Sequence, residues 1–481
     1  MIIPFPKTAL SALTPQQPQN SVLDLIGNTP LVKVTHLDTG PCELYLKLES
    51  QNPAGSIKDR IALSMIEAAE RAGQIKPGDT LVEATAGNTG LGLTLVAAQK
   101  GYKLILVIPD KMSQEKIFHM KAMGAQVVLT RSDVLKGHPE YYQDKARRIA
   151  ETTPGAFYIN QFENPANPAT HERTTGPEIF EQMGGHVDAI VVGAGSGGTL
   201  TGLGRYFSRV LPQAEVILAD PNGSILAPYV NHGVMVQPGN WLVEGIGEDF
   251  IPKNCELSYV KQAYSISDEE SIATARDVLR LEGILCGSSS GTLIAAALRY
   301  CRAQTTPKRV VTLVCDSGNK YLSKIYNQFW LQDHGMTDHA ETHDLRDLIA
   351  RPYLRGDVVS VTGDETLQQV YAKMKTFDVS QVPVMNGNNM IGLIQETDVL
   401  LAVVGNLSGF SIRAGEIMTS NFTKVPYTHD VTDLLPVFEQ GRVVAVVEDR
   451  DQFPEPVSGP FLGLITPIDF LNYLRKRTGQ A

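Results

Sequence analysis

Short apolar runs alternate with amphipathic segments over residues 43–316. The runs are rich in β-branched residues, as in strands that are buried on both faces. The segments between them place apolar residues at helical spacing. This alternation predicts an α/β fold with parallel sheets covered by helices. The predicted strands are LYLKL (44–48), TLVEA (80–84), KLILVIP (103–109), AQVVLT (125–130), AIVVGAG (189–195), EVILAD (215–220) and RVVTLVCD (309–316).

The pattern changes after residue 330, where a polar stretch without periodicity is typical of a linker. Beyond it, a Gly-Leu-Ile triplet occurs at 392–394 and again at 463–465, and Asp398 and Asp469 each follow the glycine by six residues. Such a repeat predicts two units that pack against each other. We therefore predict a flexible leader (1–20), an α/β domain (21–330), a linker (331–344) and two copies of the repeated unit (345–405 and 411–476).

Composition excludes several classes of protein. Hydrophobic residues make up 43% of the 481 positions and charged residues 20%, which excludes global disorder. A net charge of −10 without a Lys/Arg-rich run argues against nucleic acids and membranes as partners. No apolar run approaches the ~18 residues of a membrane span. Five scattered cysteines without a CxxC pair indicate a reducing compartment and no zinc or other metal site. We expect a cytoplasmic protein.

Lys58 begins a predicted helix within the segment Ser-Ile-Lys-Asp-Arg (56–60). A helix N-terminus lowers the pKa of a lysine, and a neutral amine can form a Schiff base with a carbonyl group. The alternative, which the pentapeptide alone favours, is an exposed lysine at the start of a helix.

Two glycine-rich segments join a predicted strand to a predicted helix. In TAGNTG (85–90), small residues let backbone N–H groups approach an anion, and the threonine and asparagine side chains suit a carboxylate. The alternative is a capped tight turn. GSGGT (195–199) forms a phosphate cradle by the same physics. It also belongs to a GxGxxG pattern with Asp220 ending the next strand, so a nicotinamide dehydrogenase is a second interpretation. Against it, roughly six α/β elements precede this motif.

The segment GSSSG (287–291) also opens a predicted helix. Serines at this position commonly cap the helix, but one of them could equally present a neutral hydroxyl to a heterocyclic nitrogen. A GxSxG elbow is absent from the sequence, so a serine hydrolase has no support.

Taken in order, these motifs resemble the cysteine synthase and cystathionine β-synthase family of fold type II pyridoxal-phosphate (PLP) enzymes. The resemblance extends over about residues 21–330 and implies two parallel-rich α/β subdomains. It is carried by LIGNTPLVKV (25–34), GSIKDR (55–60), TAGNTG (85–90), QFENPANP (161–168), GSGGT (195–199), EGIGEDF (244–250), GSSSG (287–291) and CDSGN (315–319).

The resemblance implies a role for each motif. Lys58 would bind PLP covalently and later move the Cα proton, and Asn88 would contact the 3′-oxygen of PLP. Ser289 would face the pyridine nitrogen, where a neutral hydroxyl favours β-elimination and replacement over transamination. The phosphate site would be formed by Gly195, Ser196, Gly197, Gly198 and Thr199. The substrate site would be formed by Thr85, Ala86, Gly87, Asn88, Thr89, Gln161 and Gly245.

The implied reaction joins L-serine, or an O-acylated serine, to L-homocysteine and yields cystathionine. The alternatives are cysteine synthesis with sulfide, and an adenosyl-ligand sensor whose catalytic half is vestigial. Two departures from the family pattern concern the substrates: Ala86 stands where serine is frequent, and Phe162 where some cystathionine enzymes have tyrosine. The leader lacks Cys and His, so we expect no haem, and we expect a homodimer or a larger homo-oligomer.

Residues 341–481 resemble a tandem CBS-domain pair, or Bateman module. The resemblance implies an adenosyl ligand held by Asp398 or Asp469 with a nearby Thr466. The first copy has Gln395 where the second has that threonine. The alternative is a packing or dimerisation module without a ligand.

Overall fold

The structure is a computed structural model. It describes residues 18–85, 87–110, 112, 114–131, 133–134, 137–336, 342–406, 408–448 and 459–477. The chain divides into two compact units between Ile325 and Tyr326.

The described residues of the first unit form ten strands in two sheets. They are β1 (Leu31–Lys33), β2 (Glu43–Lys47), β3 (Thr80–Ala84), β4 (Lys103–Pro109), β5 (Gln126–Thr130), β6 (Ala156–Tyr158), β7 (Ala189–Gly193), β8 (Glu215–Pro221), β9 (Val260–Ile266) and β10 (Arg309–Leu313). One sheet has the order β5-β4-β3-β6 and is parallel throughout. The other has the order β1-β2-β10-β7-β8-β9 and is parallel except for the β1–β2 pair. This is the predicted α/β class with two parallel-rich subdomains.

Helices separate these strands along the chain. They are α1 (Lys58–Arg71), α2 (Asn88–Lys100), α3 (Gln114–Ala122), α4 (Tyr142–Thr152), α5 (Ala166–Thr170), α6 (Gly176–Gln182), α7 (Gly198–Val210), α8 (Leu226–His232), α9 (Asp268–Glu282) and α10 (Ser288–Arg302). Three of them matter most for the site, because α2, α7 and α10 each begin at a small-residue motif singled out in the sequence.

Two predicted strands are too long in the sequence analysis. Residues 194–195 and 314–316 lie beyond the ends of β7 and β10. Val314 N still donates to Lys47 O of β2 at 2.9 Å, but the other backbone groups bond to loops: Ala194 O accepts from Gly247 N, and Cys315 O accepts from Ile57 N, both at 2.9 Å. The chain therefore leaves the sheet where it meets the candidate site.

The second unit contains two copies of one arrangement. Each copy pairs a first strand parallel to a second, and the second antiparallel to a third. The strands are β11 (Val361–Thr362), β12 (Gln381–Asn386) and β13 (Asn389–Gln395), then β14 (Phe422–Pro426), β15 (Val443–Val447) and β16 (Phe461–Ile465). The helices are α11 (Gln328–Asp333), α12 (Leu367–Phe377), α13 (Glu396–Val403), α14 (Ala414–Ile417), α15 (Leu435–Glu439) and α16 (Pro467–Arg477).

The repeated glycine has the same packing role in both copies. A Cβ atom on Gly392 would lie 2.4 Å from Met418 Sδ, and one on Gly463 would lie 2.3 Å from Ile349 Cγ2. Any side chain there would push away the segment that covers the sheet. The finer boundaries of the two copies stay a prediction.

Within the part of the chain that the structure describes, no helix combines the length and the apolar character needed to cross a membrane. The same residues contain no cluster of three or more His, Cys, Asp or Glu side chains arranged to hold a metal ion. All five cysteines are free thiols.

Candidate active site

Lys58 is the first residue of α1 and is partly buried. Its Nζ forms no hydrogen bond or ion pair with the described residues, whereas Ser56 Oγ accepts a bond from the Lys58 backbone N–H at 3.2 Å. Burial lowers the pKa of Lys58, and the charges of Cys315, Asp316 and Glu248 oppose this effect only in part. An unpaired amine with a lowered pKa is suited to attack a carbonyl group.

The loop between β3 and α2 brings Thr89 next to Gln161. Thr89 Oγ1 donates to Gln161 Oε1 at 2.7 Å, and Gln161 Nε2 donates to Ala84 O at 3.3 Å. Thr85 Oγ1 accepts from the N–H of Gly87 at 3.3 Å. Four of the predicted substrate-loop residues, Thr85, Gly87, Asn88 and Thr89, thus lie with Gln161 at one helix N-terminus, and Ala86 lies outside the described residues.

The Asn88 side chain lies at the N-terminus of α2, between two charged groups. Its Nδ2 donates to Asp316 Oδ2 at 2.7 Å, and its Oδ1 accepts from Lys320 Nζ at 2.8 Å. Asp316 Oδ2 also accepts from Tyr321 OH at 2.7 Å. No role is predicted from the sequence for Asp316, Lys320 or Tyr321, although they lie in or directly after the CDSGN motif.

A cluster of ion pairs lies next to the predicted substrate loop, residues 85–90. Lys116 Nζ donates to Glu244 Oε2 at 2.5 Å and to Tyr321 OH at 3.1 Å. Lys324 Nζ donates to the other oxygen of Glu244 at 2.7 Å. A Cβ atom on Gly87 would lie only 3.2 Å from Lys116 Nζ, so the loop passes close to this lysine. The cluster connects α3, the EGIGEDF loop and the segment after CDSGN.

The segment Gly195 to Thr199 is packed so closely that three of its positions exclude a side chain. A Cβ atom added to Gly195 would lie 2.6 Å from Gly245 O. One added to Gly197 would lie 2.4 Å from Cys255 Cβ, and one added to Gly198 would lie 1.8 Å from Asn167 Oδ1. Ser196 Oγ accepts from Asn167 Nδ2 at 2.9 Å, and Thr199 Oγ1 lies 3.3 Å from His171 Nε2. Because α7 begins here without a side-chain cap, its first N–H groups are available to an anion.

Ser289 differs from its two neighbours at the start of α10. Ser288 Oγ accepts from Glu244 N at 3.1 Å, and Ser290 Oγ accepts from Cys315 N at 2.9 Å. These two hydroxyls therefore hold loops in place. Ser289 is buried, and its hydroxyl contacts the thiol of Cys315. Because a thiol is a weak hydrogen-bond partner, the Ser289 hydroxyl is available to a stronger partner.

Gly245 lies on the EGIGEDF loop, which passes over the GSGGT segment. Its carbonyl faces Gly195, as described above, and its φ of +91° favours glycine. Glu248 lies on the same loop and is not among the site residues predicted from the sequence. Its Oε1 lies 3.9 Å from the position of a Cβ atom on Gly195, and its charge interacts with that of Lys58.

Asp220, on which the dehydrogenase interpretation depends, is not available to a ribose. The side chain is 0% exposed, and its Oδ2 accepts from Ala227 N at 2.8 Å. Burial raises the pKa of Asp220 to about 6. A dinucleotide would need this carboxylate at the surface of the cleft, so the structure contradicts that alternative.

The described residues fit PLP. An unpaired lysine amine suits the aldehyde, and an uncapped helix N-terminus in a glycine loop suits the phosphate. His171, which contacts Thr199 of the phosphate loop, has its pKa lowered by burial and by the charges of Arg60 and Lys58.

In the second unit, both predicted aspartates cap helices. Asp398 Oδ2 accepts from Gln395 N at 2.7 Å at the start of α13. Asp469 Oδ2 accepts from Thr466 N at 2.8 Å and from Thr466 Oγ1 at 2.6 Å at the start of α16. The two positions are equivalent, and only the second copy adds a hydroxyl.

Comparison with known proteins agrees with this geometry. A family model for pyridoxal-phosphate dependent enzymes matches residues 22–316, and a model for the CBS domain matches residues 346–405. The chain is 34% identical over 470 residues to a cystathionine beta-synthase of Dictyostelium discoideum, covering 95% of this chain and 92% of that protein. It is also 34% identical over 487 residues to a cystathionine beta-synthase of Mus musculus, covering 95% and 86%.

Two further similarities are confined to the first part of the chain. A cysteine synthase of Staphylococcus aureus is 43% identical over 311 residues, which cover 64% of this chain and 97% of that protein. A crystal structure of a hydrogen sulfide-producing enzyme from Fusobacterium nucleatum aligns with a TM-score of 0.60 and 37% identity, over 63% of this chain and 100% of the other. The chain therefore belongs to the family of pyridoxal-phosphate-dependent enzymes, and its catalytic part is followed by a CBS module.

Proposed function

We propose that the protein is a β-replacement enzyme that joins L-serine to L-homocysteine and releases cystathionine and water. The observation that carries this proposal is similarity over 95% of the chain, CBS module included, to cystathionine beta-synthases. The buried neutral hydroxyl of Ser289 supports β-replacement, because a neutral partner of the pyridine nitrogen favours elimination over transamination.

Each motif has a task in this reaction. When bound, PLP withdraws electrons from Cα of the amino acid and so acidifies its Cα–H bond. Lys58 is the base that takes this proton and the acid that returns it. The N-terminus of α7 holds the phosphate, and the N-terminus of α2 holds the substrate carboxylate with the help of Thr89 and Gln161.

Cysteine synthesis from an O-acylated serine and sulfide is the second candidate. The 43% identity to a cysteine synthase favours it, but that similarity ends before the CBS module. An adenosyl-ligand sensor with a vestigial catalytic half is less well supported, because Lys58 keeps an unpaired amine with a lowered pKa.

One competition experiment separates these functions. Purified protein loaded with PLP is given serine or O-acetylserine, together with homocysteine or sulfide, and the products are identified by mass. Cystathionine formed from serine supports the proposal. Cysteine as the main product from O-acetylserine and sulfide would favour the second candidate, and no turnover with any pair would favour the sensor.

We also propose that the second unit binds an adenosyl compound, at the second copy in preference to the first, because Thr466 adds a hydroxyl beside Asp469.

We propose a cytoplasmic homodimer or larger homo-oligomer that works without haem. Light scattering tests the assembly, and a Soret band in the purified protein would contradict the absence of haem.

A further inference from the structure

Two glutamates on the EGIGEDF loop have opposite surroundings. Glu244 is paired with Lys116 and Lys324, which lower its pKa although burial alone would raise it. The carboxyl group of Glu248 forms no hydrogen bond or ion pair with the described residues. Burial, Asp249 and Asp220 raise the pKa of Glu248 well above its ordinary value, and Lys58 opposes them only weakly. Such a divergence between neighbouring carboxyls is typical of groups with different chemical tasks.

The position of Glu248 is fixed through its backbone. Ser224 Oγ accepts from Glu248 N at 3.1 Å and donates to Glu248 O at 3.2 Å. Glu248 O also accepts from Ile225 N at 3.1 Å. With Gly247 bonded to Ala194 one residue earlier, the side chain is held beside Gly195 on the phosphate loop. A carboxyl group without a partner among the described residues is thus held beside the phosphate loop, and its charge interacts with that of Lys58.

We propose that Glu248 is the general acid that protonates the β-oxygen of serine as the Cβ–O bond breaks. The inference rests on the proposed function and deepens it, because it assigns the enzyme a donor whose leaving group is an unactivated hydroxyl. Hydroxide is a poor leaving group, whereas acetate and chloride leave without a proton. The acid is therefore needed for serine and not for activated donors.

The protons balance over one turnover. Lys58 takes the Cα proton, and the electron pair released at Cα forms a double bond to Cβ. The Cβ–O electron pair leaves with the oxygen, which receives the proton of Glu248 and departs as water. The thiol of homocysteine then loses its proton to the solvent as its sulfur bonds to Cβ, and the Glu248 carboxylate regains a proton from the solvent. Lys58 returns its proton to Cα, and both groups are restored.

The test compares leaving groups in one holoenzyme variant. Glu248→Gln keeps the size of the side chain and removes the acid. With homocysteine as acceptor, we expect the turnover of serine to fall by about 100-fold or more, the usual contribution of a general acid, and that of β-chloroalanine to change by less than about threefold. Glu248→Asp, which keeps an acid with a shorter reach, is expected to restore part of the serine turnover.

Two controls separate chemistry from structure. Glu269→Gln changes an exposed carboxylate at the start of α9 and is expected to leave both donors nearly unaffected. The binding of serine alone, followed by the absorbance of the bound PLP, and the melting temperature are expected to be unchanged in Glu248→Gln. An equal loss with both donors, or no loss with serine, would overturn the role of Glu248 while the proposed function stands. A wild-type enzyme that uses β-chloroalanine but not serine would overturn both.

Discussion

Asn88 Nδ2 donates to Asp316 Oδ2 over 2.7 Å, although 228 residues separate the two in the chain. The bond ties the start of α2 to the segment that follows β10. Asp316 holds Tyr321 as well, while its other oxygen is buried and has no hydrogen-bond partner among the described residues. The charge of this one carboxylate also raises the pKa of Lys58 and of Lys320, against the larger effect of burial.

Replacing Asp316 by alanine is expected to destabilise the protein by about 2 kcal/mol or more, because Asn88 and Tyr321 would each lose a buried acceptor. The midpoint of urea unfolding measures this loss. Asp38→Ala, which changes an exposed aspartate of the same unit, serves as control and is expected to have little effect. A loss below about 0.5 kcal/mol would mean that other groups replace the acceptor.

Lys58→Ala is expected to abolish turnover, because the covalent attachment and the proton transfer both depend on one amine. PLP is expected to remain bound through its phosphate, but borohydride should no longer fix it to the chain. Mass spectrometry of peptides after reduction measures this. The exposed Lys76 provides the control variant, Lys76→Ala, which should still be labelled at Lys58. A label at another lysine in the wild type would refute the assignment.

Ser289→Asp is expected to slow β-replacement without unfolding the protein, because a carboxylate would keep the pyridine nitrogen protonated. Ser289→Ala removes the hydroxyl without adding a charge and should have a smaller effect. Steady-state rates and melting temperatures are compared for both. Activity of the aspartate variant within about twofold of the wild type, or roughly 0.4 kcal/mol, would mean that Ser289 does not face the ring.

Glu83 is expected to make stability depend on pH. It lies fully buried beneath Gln161, and burial raises its pKa to about 8 from the ordinary value of 4.5. Below pH 4.5 the group is protonated in the folded and the unfolded chain. As the pH rises from 4.5 towards 8, the unfolded chain loses the proton first, so the folded state is progressively destabilised.

Glu83→Gln removes this titration. We expect the variant to be more stable than the wild type at pH 8 by at least about 1 kcal/mol and equally stable near pH 4. Urea unfolding at the two pH values measures the difference, and Glu151→Gln, on the exposed face of α4, is the control. A gain of the same size at both pH values would point to packing instead of ionisation.

Asp469→Ala is expected to abolish the binding of an adenosyl compound to the second unit, and Asp398→Ala to leave it largely intact. Both variants remove a similar helix cap, so each controls for the loss of about 1 kcal/mol that a cap contributes. Calorimetry with S-adenosylmethionine and with AMP on the full-length protein measures binding. Heat that survives Asp469→Ala but not Asp398→Ala would move the site to the first copy. No heat in the wild type would leave a packing module.

The sequence by itself determined most of the buried strands of the first unit and the positions of the glycine-rich motifs between strands and helices. Buried parallel strands are continuous apolar runs, so all seven predicted strands are present. In the first unit, β1, β6 and β9 were missed because two have only three residues and the third is a half-exposed edge strand. Glycine motifs at strand–helix junctions can also be recognised locally. A close approach of two backbone segments, or a positive φ, restricts the residue type at that one position to glycine.

Only the tertiary structure decided the state of each charged group. Glu244 and Glu248 are four residues apart on one loop, and nothing in their local sequence separates them. Glu244 pairs with Lys116, 128 residues away, while Glu248 lies beside the phosphate loop without a partner in the part of the chain that the structure describes. In the same way, Asp220 lies at the distance from the GxGxxG pattern that is typical of dinucleotide-binding proteins, and yet it is buried and bonded to α8. Pairing and burial depend on segments distant in the chain, and they determine whether a carboxyl group is a counter-ion, a helix cap or an acid.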